Sequence, residues 1–247
     1  MKQDLFQIAK NIRKDSIKIL AQKKSGNTAG NLSSADIFTA LYFTAIKHPR
    51  QGQHDRVFVS AHLEATWHAT LAHAGHFSKK ELLQPSRELP KATQPGHGLS
   101  IALGSALAAA MDLKTHHTYC IMSDAEHHHG QVWESLMHAG KHKLSNLTLI
   151  IDRNNTQADG YIEDIAPLEP LRAKYEAFNW QVIEVDGHNL QHITEALAEA
   201  KTMTTKPTAI IAHTTPGKGV SFIENNYEWH AKTPTKEEEQ EALTELQ

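Results

Sequence analysis

A carboxylate and two side-chain amides each follow an apolar run of the kind that forms a buried strand. Asp124 comes just after the run 118–122, and Asn154 and Asn155 come just after the run 147–151. Ligands of parallel sheets bind beyond the carboxyl ends of the strands, so these oxygens would meet at one edge if the two strands are neighbours. One carboxylate with one or two neutral oxygens commonly holds Mg²⁺ and leaves positions for phosphate oxygens. The spacing equally allows Asp124 and Asn154 to cap helices or shape turns.

A glycine-rich segment offers a second place for a phosphate group. Residues 94–100, Gln-Pro-Gly-His-Gly-Leu-Ser, are typical of a turn that opens a helix. Backbone amides at the start of a helix can cradle a phosphate when small residues let it approach. As a dinucleotide-binding fingerprint the segment is weak, because no strand is predicted before it and Gly104 does not fall at the expected spacing. A plain helix start, with glycine allowing close packing, stays open as the alternative.

These polar segments need a scaffold, and the rest of the chain alternates between short apolar runs and amphipathic stretches. The pattern predicts strands at 57–59, 118–122, 147–151, 181–185 and 208–212, and helices at 5–20, from 33–36 onward, at 130–143 and at 190–201. Short apolar strands separated by helices are typical of an α/β protein in which a parallel sheet has helices on both faces. We predict this fold class, with a single domain over residues 1–247 that includes a charged, weakly helical tail at 236–247.

Net charge, cysteine content and the length of the apolar stretches exclude several classes of protein. The 247 residues hold 25 Lys and Arg against 28 Asp and Glu, which gives a formal net charge of −3 and no basic block for nucleic-acid binding. The single thiol, Cys120, can form no internal disulfide, which is typical of the reducing cytoplasm. The N-terminus lacks the apolar core of a signal peptide, and the longest near-apolar stretch, 101–111, is too short to span a bilayer. We expect a soluble cytoplasmic protein that binds neither nucleic acid nor membrane.

Histidine is the unusual residue in this composition, with 18 copies. The run 127–129 consists of three histidines and predicts an exposed polar loop, because adjacent side chains diverge and do not converge on a metal. His138 and His142 lie four residues apart on a predicted helix, where they would share a face that is either solvated or metal-binding. Spacing alone gives none of these residues a role.

Several blocks of the chain occur together, in order, in one enzyme family. They are Ser25-Gly26 with Gly30 and 32–37; Ser60-Ala61-His62; Gly96-His97-Gly98; Asp124; 130–135; 143–147; 152–155 with Gln157 and Asp159-Gly160; and 217–226 through Trp229-His230. In this order and spacing they resemble the thiamine-diphosphate-binding domain of transketolases, and most closely the N-terminal subunit of split transketolases. The resemblance covers nearly the whole chain and implies the thiamine-diphosphate-binding fold.

The resemblance also implies roles for individual residues. Asp124, Asn154 and the backbone carbonyl of Thr156 would coordinate Mg²⁺ together with the diphosphate of the cofactor. His62 and His230 would be the catalytic residues, near the diphosphate and the reacting carbons, where an imidazole can donate to a phosphate oxygen or move a proton at neutral pH. The other residues implied to touch the cofactor are Gln94, Pro95, Gly96 and Ala125.

A reaction and a partner follow from the same resemblance. Transketolases move a two-carbon ketol unit from a ketose phosphate to an aldose phosphate in pentose phosphate metabolism, with thiamine diphosphate as the electron sink. The family's pyrimidine-binding domain follows the present domain in full-length enzymes, and this sequence stops before it. We therefore expect a separate C-terminal subunit that completes the active site, and self-association into a heterotetramer. Two alternatives stay open: a related thiamine-diphosphate enzyme with different substrates, and a degenerate, non-catalytic partner domain.

The sequence differs from the family pattern at several positions that the resemblance assigns to substrate or metal binding. Asn27 replaces a substrate-facing histidine, and an amide can hydrogen-bond a hydroxyl but cannot act as an acid or a base. Ser123 and Ala125 replace two glycines around the metal-binding aspartate, where the backbone approaches the diphosphate. His129 stands where the family commonly has a glutamate. The family's sugar-binding Gly-His-Pro element has no counterpart within 82–94.

Overall fold

The central sheet is parallel throughout, as the sequence predicts. The computed structural model describes residues 4–46, 54–83 and 91–247, so most of the segment 82–94 lies outside the described residues. The strands of the sheet are β1 (Arg56–Val59), β2 (Thr118–Ser123), β3 (Leu147–Arg153), β6 (Gln181–Asp186) and β7 (Thr208–His213), and a separate hairpin consists of β4 (Thr156–Gln157) and β5 (Gly160–Tyr161). The five strands of the sheet are parallel in the order β1-β2-β3-β7-β6. The predicted fold class and the five predicted strands are confirmed.

Helices cover both faces of this sheet. They are α1 (Leu5–Lys23), α2 (Thr28–Ser33), α3 (Ala35–Ala40, continued by a wider turn at Leu41–Ala45), α4 (Glu64–His73), α5 (Gly98–Met111), α6 (Gly130–His142), α7 (Ile162–Ile165), α8 (Leu171–Ala177), α9 (Leu190–Thr202) and α10 (Lys236–Glu245). Tyr119 and Ile121 of β2 pack with α3, α4 and α9, whereas Cys120 and Met122 pack with α5, α6 and α8, because successive strand side chains point to opposite faces. Within the described ranges, no helix has the length and apolar character needed to cross a bilayer.

The register of β2, β3 and β7 fixes where the polar segments leave the sheet. Ser123 of β2 pairs with Asp152 of β3, so residues 124–126 and 153–156 emerge side by side. On the other side of β3, Arg153 pairs with His213 of β7, which brings the loop after β7 to the same edge. The sheet therefore gathers three loops at the carboxyl ends of its central strands, where parallel sheets bind ligands.

Three helices near or behind this edge differ from the sequence prediction. The helix expected from 33–36 onward begins earlier, as α2, with Asn27 as the N-cap whose side chain accepts from the Gly30 amide at 2.8 Å. The serines that suggest a helix start instead mark a bend at Ser34, where α2 ends and α3 begins. Periodicity predicts neither α4 nor α8. In α4 this is because all but its two terminal residues are buried, which leaves no polar face to detect.

The charged tail forms α10 and packs on its own chain. The Thr235 hydroxyl accepts from the Glu238 amide at 3.2 Å, and the Glu238 carboxylate accepts from the Thr235 amide at 2.8 Å, which is a capping box. Ala242 and Leu246 then lie in an apolar cluster with Ile17 of α1. Residues 236–247 thus contribute to the core next to α1 and α2, although their sequence is mostly charged.

Candidate active site

Asp124 lies just beyond β2 and is completely buried. Its Oδ2 accepts hydrogen bonds from the Asn155 amide at 2.7 Å and from Arg153 Nη1 at 3.0 Å, and its Oδ1 accepts from the Ala125 amide at 2.9 Å. Burial raises the pKa of Asp124 to about 7, and the Arg153 guanidinium opposes that rise. Burial therefore opposes ionisation of this carboxyl group, and a cation bound to it would favour the ionised form.

Arg153 is a residue of this site that sequence reasoning missed. Besides Asp124, its guanidinium contacts Glu163 at 2.6 Å and Glu169 at 3.1 Å, and its side chain is only 6% exposed. In the sequence it stands inside the polar segment that follows the predicted strand 147–151, and this position is the only available signal. The direction of the Arg153 side chain is known only from the fold, because the pairing of β2 with β3 places this side chain against Asp124.

Asn154 and Thr156 lie on the segment after β3, next to the aspartate. Asn154 Oδ1 accepts from the amide and the hydroxyl of Thr156 at 3.0 and 2.8 Å, and its Nδ2 donates to Asp152 at 2.9 Å. The buried carboxylate of Asp152 also accepts from the hydroxyls of Ser33, at 2.6 Å, and Thr214. Asp152 therefore joins α2, β3 and the loop after β7, and it orients the Asn154 amide.

The oxygens around Asp124 are of the type that a hard cation prefers. Within the described residues, no group of three or more His, Cys, Asp or Glu side chains could hold a metal by itself, so amide and carbonyl oxygens would have to contribute. The buried Oδ1 of Asn155 has no hydrogen-bond partner in the part of the chain that the structure describes. A buried acceptor of this kind is normally satisfied by a donor, a water or an ion. The oxygen donors beside Asp124 are thus of a kind that fits Mg²⁺, which would share the Asp124 carboxylate with Arg153.

Glu126 connects the glycine-rich segment to the end of β2, and sequence reasoning gave it no role. Its carboxylate accepts from the Gly96 amide at 2.7 Å and from the Ser123 amide at 3.0 Å, and it also hydrogen-bonds the Ser60 side chain beyond β1. Burial raises the pKa of this carboxyl group. One buried side chain therefore holds three loops at the carboxyl edge of the sheet.

The turn at 94–97 presents its three predicted cofactor residues at different depths. Gln94 is exposed, Pro95 is half-buried and Gly96 is buried. Gly96 has a φ of +76°, and a Cβ atom added there would lie 2.7 Å from Cγ of His129. Glycine is thus required both by the backbone conformation and by the neighbouring imidazole. His129 is part of the wall behind this turn.

The two predicted catalytic histidines come from distant segments and meet in space. His62 lies in the turn after β1, His230 ends the helical turn Tyr227–His230, and their ring centroids are 5.7 Å apart. Burial, together with the nearby His62, lowers the pKa of His230 to about 4, and burial likewise lowers the pKa of His62. Both imidazoles are therefore neutral at pH 7, so each has one ring nitrogen that can accept and one that can donate.

Two buried asparagines hold this histidine pair in place. Asn27 Nδ2 lies 3.3 Å from Nδ1 and 3.4 Å from Nε2 of His230, and an amide N–H can donate only to an unprotonated ring nitrogen. Asn31 Nδ2 donates to the backbone carbonyls of His62 and Asn27 at 2.8 and 2.7 Å. Asn27 thus favours the neutral form of His230, and Asn31 connects the turn that carries His62 to Asn27, which in turn contacts His230.

The histidine tract after β2 differs from its prediction as an exposed loop. His127 is buried, with Nδ1 2.7 Å from the Asp124 carbonyl and Nε2 2.6 Å from the Tyr175 hydroxyl. Burial lowers the pKa of His127 to about 4. The prediction is wrong for this residue because residues 124–128 form a tight helical turn that directs His127 inward, while the next two histidines are exposed. On α6, His138 and His142 share the exposed face with their rings stacked 6.0 Å apart.

Comparison with known protein families gives one match that covers more than half of the chain. The transketolase thiamine diphosphate binding domain matches residues 98–246. This range contains Asp124, Asn154, Thr156 and His230, and it begins within the glycine-rich segment.

Two curated relatives match almost end to end. The chain is 35% identical over 254 residues to an apulose-4-phosphate transketolase subunit of Phocaeicola vulgatus, covering 95% of this chain and 90% of that protein. It is also 35% identical over 265 residues to the 6-deoxy-6-sulfo-D-fructose transketolase subunit SqwG of a Clostridium species, covering 99% of this chain and 96% of that protein.

Solved structures of longer enzymes show the same fold. The transketolase of Campylobacter jejuni matches with a TM-score of 0.88 and 28% identity, over 100% of this chain and 43% of that one. The transketolase of Leishmania mexicana matches with a TM-score of 0.89 and 25% identity, over 100% of this chain and 42% of that one. The present chain therefore spans about two fifths of the length of these enzymes.

Proposed function

The chain belongs to the transketolase family, and we propose that it is the thiamine-diphosphate-binding subunit of a two-subunit transketolase. The strongest support for this proposal is the share of each relative's length that the chain matches. This share is 90% and 96% for two transketolase subunits but only 43% for a longer transketolase. A second subunit supplies the pyrimidine-binding domain and completes the active site. The two subunits then associate into a heterotetramer.

Thiamine diphosphate with Mg²⁺ is the cofactor that we propose for this site. When bound, it supplies the carbon nucleophile and the electron sink that ketol transfer requires. Asp124, Asn154 and the carbonyl of Thr156 would hold the cation, and the unpaired amide oxygen of Asn155 supports a further polar contact beside them. The remaining cofactor contacts are proposed for Gln94, Pro95, Gly96 and Ala125 on the adjoining turns.

His62 and His230 are the proposed catalytic residues. Because both rings are neutral at pH 7, each can donate to a phosphate or sugar oxygen through its protonated nitrogen, and His62 can also accept a proton through its other nitrogen. Their spacing of 5.7 Å between ring centroids allows both rings to contact one bound molecule. Asn27 and Asn31 position the pair without taking part in proton transfer.

The proposed reaction transfers a two-carbon ketol unit from a ketose phosphate to an aldose phosphate in the cytoplasm. The two curated relatives act on sugars as different as apulose-4-phosphate and 6-deoxy-6-sulfo-D-fructose, as their names record, so the shared element is the transfer itself. A donor or acceptor outside pentose phosphate metabolism is the second candidate. It is favoured by Asn27, which places an amide against His230 where the family has a histidine.

Calorimetric titration with thiamine diphosphate and Mg²⁺ tests the proposed cofactor site. We expect binding that requires Mg²⁺ and is lost in the Asp124→Asn variant, which keeps the shape and an acceptor oxygen but removes the charge. Asp159→Asn is the matched control, because Asp159 is an exposed residue of the hairpin between β4 and β5, and it should bind as the wild type does. Absence of binding to the wild type, with and without the second subunit, would leave only a non-catalytic role.

A further inference from the structure

Two exposed histidines near the end of α6 have no role in the proposed function. His138 and His142 are four residues apart, and a helix places side chains at this spacing on one face. Their imidazole rings lie side by side, with centroids 6.0 Å apart and ring planes 16° from parallel. Neither ring hydrogen-bonds a side chain or the backbone within the described residues. In its neutral form, each imidazole therefore keeps an unused nitrogen lone pair.

The spacing of the two rings fits chelation of one metal ion. A Zn²⁺–N bond to histidine is about 2.0–2.1 Å long, so the centre of each bound ring lies about 3.2 Å from the metal. Two imidazoles on one ion therefore have their centres no more than about 6.4 Å apart. The observed 6.0 Å lies within that limit, so both rings can reach one ion with only a small rotation of their side chains. Because both side chains are exposed, solvent can supply the ion and its water ligands.

The electrostatic surroundings decide which kind of ion fits this place. His142 is the last residue of α6, where the negative end of the helix dipole stabilises positive charge, and Glu134 adds an exposed carboxylate to the same face. Three lysines lie near His142, namely Lys141 beside it on α6, and Lys114 and Lys143 in the cavity of about 250 Å³ that it also lines. These lysines oppose a hard cation that is held by charge alone. An ion with a strong preference for imidazole nitrogen is therefore favoured, as Zn²⁺, Cu²⁺ and Ni²⁺ have and Mg²⁺ has not.

A second pair of histidines four residues apart differs from this pair in its contacts. His188 lies before the start of α9, and its Nδ1 and Nε2 lie 2.8 Å from the Asp36 carboxylate and 2.8 Å from the Thr215 amide nitrogen, respectively. Both of its ring nitrogens are thus in use, which leaves His192 as a single exposed imidazole on α9. Of these two pairs, only the pair on α6 offers two unused nitrogens on one helix face.

We propose that His138 and His142 form a binding site for a divalent transition-metal ion of the Zn²⁺, Cu²⁺ or Ni²⁺ type. The protein supplies two imidazole nitrogens, and water fills the other coordination positions. This site lies away from the proposed Mg²⁺ site, because α6 begins near the carboxyl end of β2 and ends four residues before the start of β3. A bound ion fixes the last turn of α6 and so stabilises the folded chain. The site is independent of thiamine diphosphate and of the second subunit.

An NMR titration of the full chain with Zn²⁺, in the presence of thiamine diphosphate and Mg²⁺, tests the site. We expect Zn²⁺ to shift the ring signals of His138 and His142 together, with each signal assigned by its loss in His138→Gln or His142→Gln. In either variant the remaining ring should bind Zn²⁺ at least about tenfold more weakly, because a single imidazole loses the advantage of two linked ligands. Both variants should keep the wild-type melting temperature without zinc, since both side chains are exposed.

The matched control is His192→Gln, which removes a single exposed imidazole from another helix. It should leave the zinc response of the two α6 signals unchanged. Thermal unfolding gives a second measurement, in which Zn²⁺ should raise the melting temperature of the wild type and of His192→Gln more than that of His138→Gln. Ring signals of His138 and His142 that do not move with zinc, an equal loss of affinity in His192→Gln, or equal stabilisation of the wild type and His138→Gln would each overturn the inference.

Discussion

The chemistry of single residues in this site depends on which of them carry a charge. His230, a buried imidazole, receives its nearest hydrogen bond from the amide of Asn27, and its pKa is lowered to about 4 by burial. Asp124, a buried carboxyl group, has a pKa raised to about 7 because burial outweighs the attraction of Arg153. Burial thus keeps the imidazole neutral and opposes ionisation of the carboxyl group, which a bound cation would reverse.

Replacing the Asn27 amide should change the protonation of His230, one of the two proposed catalytic residues. Asn27→Asp keeps the side-chain oxygen that accepts from the Gly30 amide, but it places a carboxylate oxygen near His230 in place of the donor. Because an opposite charge stabilises the imidazolium, the pKa of His230 should rise by about 1–3 units, from about 4 toward its ordinary value. The measurement is an NMR titration of the histidine ring signals, with His230 assigned by its loss in His230→Gln.

A second asparagine provides the control for this titration. Asn189 caps α9 by accepting from the amides of Gln191 and His192, so Asn189→Asp makes the same change of charge at another N-cap. It should leave the pKa of His230 where it is. An unchanged pKa in Asn27→Asp would show that the amide does not set the protonation state of the ring.

Sequence reasoning reached some residues of the site and missed others for a physical reason. The meeting of Asp124 with the segment 154–156 follows from two adjacent parallel strands, which apolar runs predict well. The roles of Arg153, Glu126 and Asn31 depend on side-chain directions that the tertiary structure sets. A buried arginine or glutamate cannot be distinguished from an exposed one by its position in a polar segment. The proposed metal, cofactor and catalytic roles themselves stay predictions.

Secondary-structure elements bring the site together through a few buried links between loops. Glu126 connects the turns after β1 and β2 with the glycine-rich segment, and Asp152 connects α2 with the loops after β3 and β7. Both carboxyl groups are buried and accept several hydrogen bonds, so removal of either leaves buried donors unsatisfied. These links explain how short loops keep a defined shape at the edge of the sheet.

Loss of the Glu126 carboxylate should loosen the turn at 94–97. In Glu126→Ala the Gly96 and Ser123 amides lose their acceptor, which should cost about 1–3 kcal/mol of stability for each donor left unsatisfied in the interior. Hydrogen exchange of the peptide that contains Gly96 should accelerate at least tenfold, which corresponds to about 1.4 kcal/mol. The measurement is hydrogen–deuterium exchange followed by mass spectrometry.

The matched variant for this experiment is Glu224→Ala. Glu224 also accepts from a glycine amide, that of Gly219, at 2.8 Å, but in a different loop. Its loss should leave exchange at Gly96 unchanged. Equal exchange of the Gly96 peptide in Glu126→Ala and in the wild type would mean that this carboxylate does not hold the turn.

Secondary-structure elements with a clear alternation of apolar and polar residues can be predicted from the sequence, whereas elements buried on all sides lack that alternation and cannot. The five strands were identified because each is an apolar run bounded by polar residues. The pattern does not reveal α4 because the middle residues of that helix are buried, and it places the start of α2 too late because the serines at the Ser34 bend resemble an N-cap. Burial on all sides and bends between short helices are properties of the tertiary structure.

At the scale of the whole molecule, the proposed function makes the chain one component of a larger catalytic assembly. It contains the fold and the polar edge of the transketolase thiamine-diphosphate-binding domain, and it spans about two fifths of the solved enzymes. Under the proposed function, this protein is expected to act only after association with the second subunit.

Ketol transfer measured by complementation tests the central claim most directly. The chain and the pyrimidine-binding-domain subunit of the same organism are assayed separately and together, with thiamine diphosphate, Mg²⁺ and a panel of ketose and aldose phosphates. We predict no transfer by either protein alone, and a rate that rises with added partner until the two are equimolar. Transfer by this chain alone at the rate of the mixture would contradict the account.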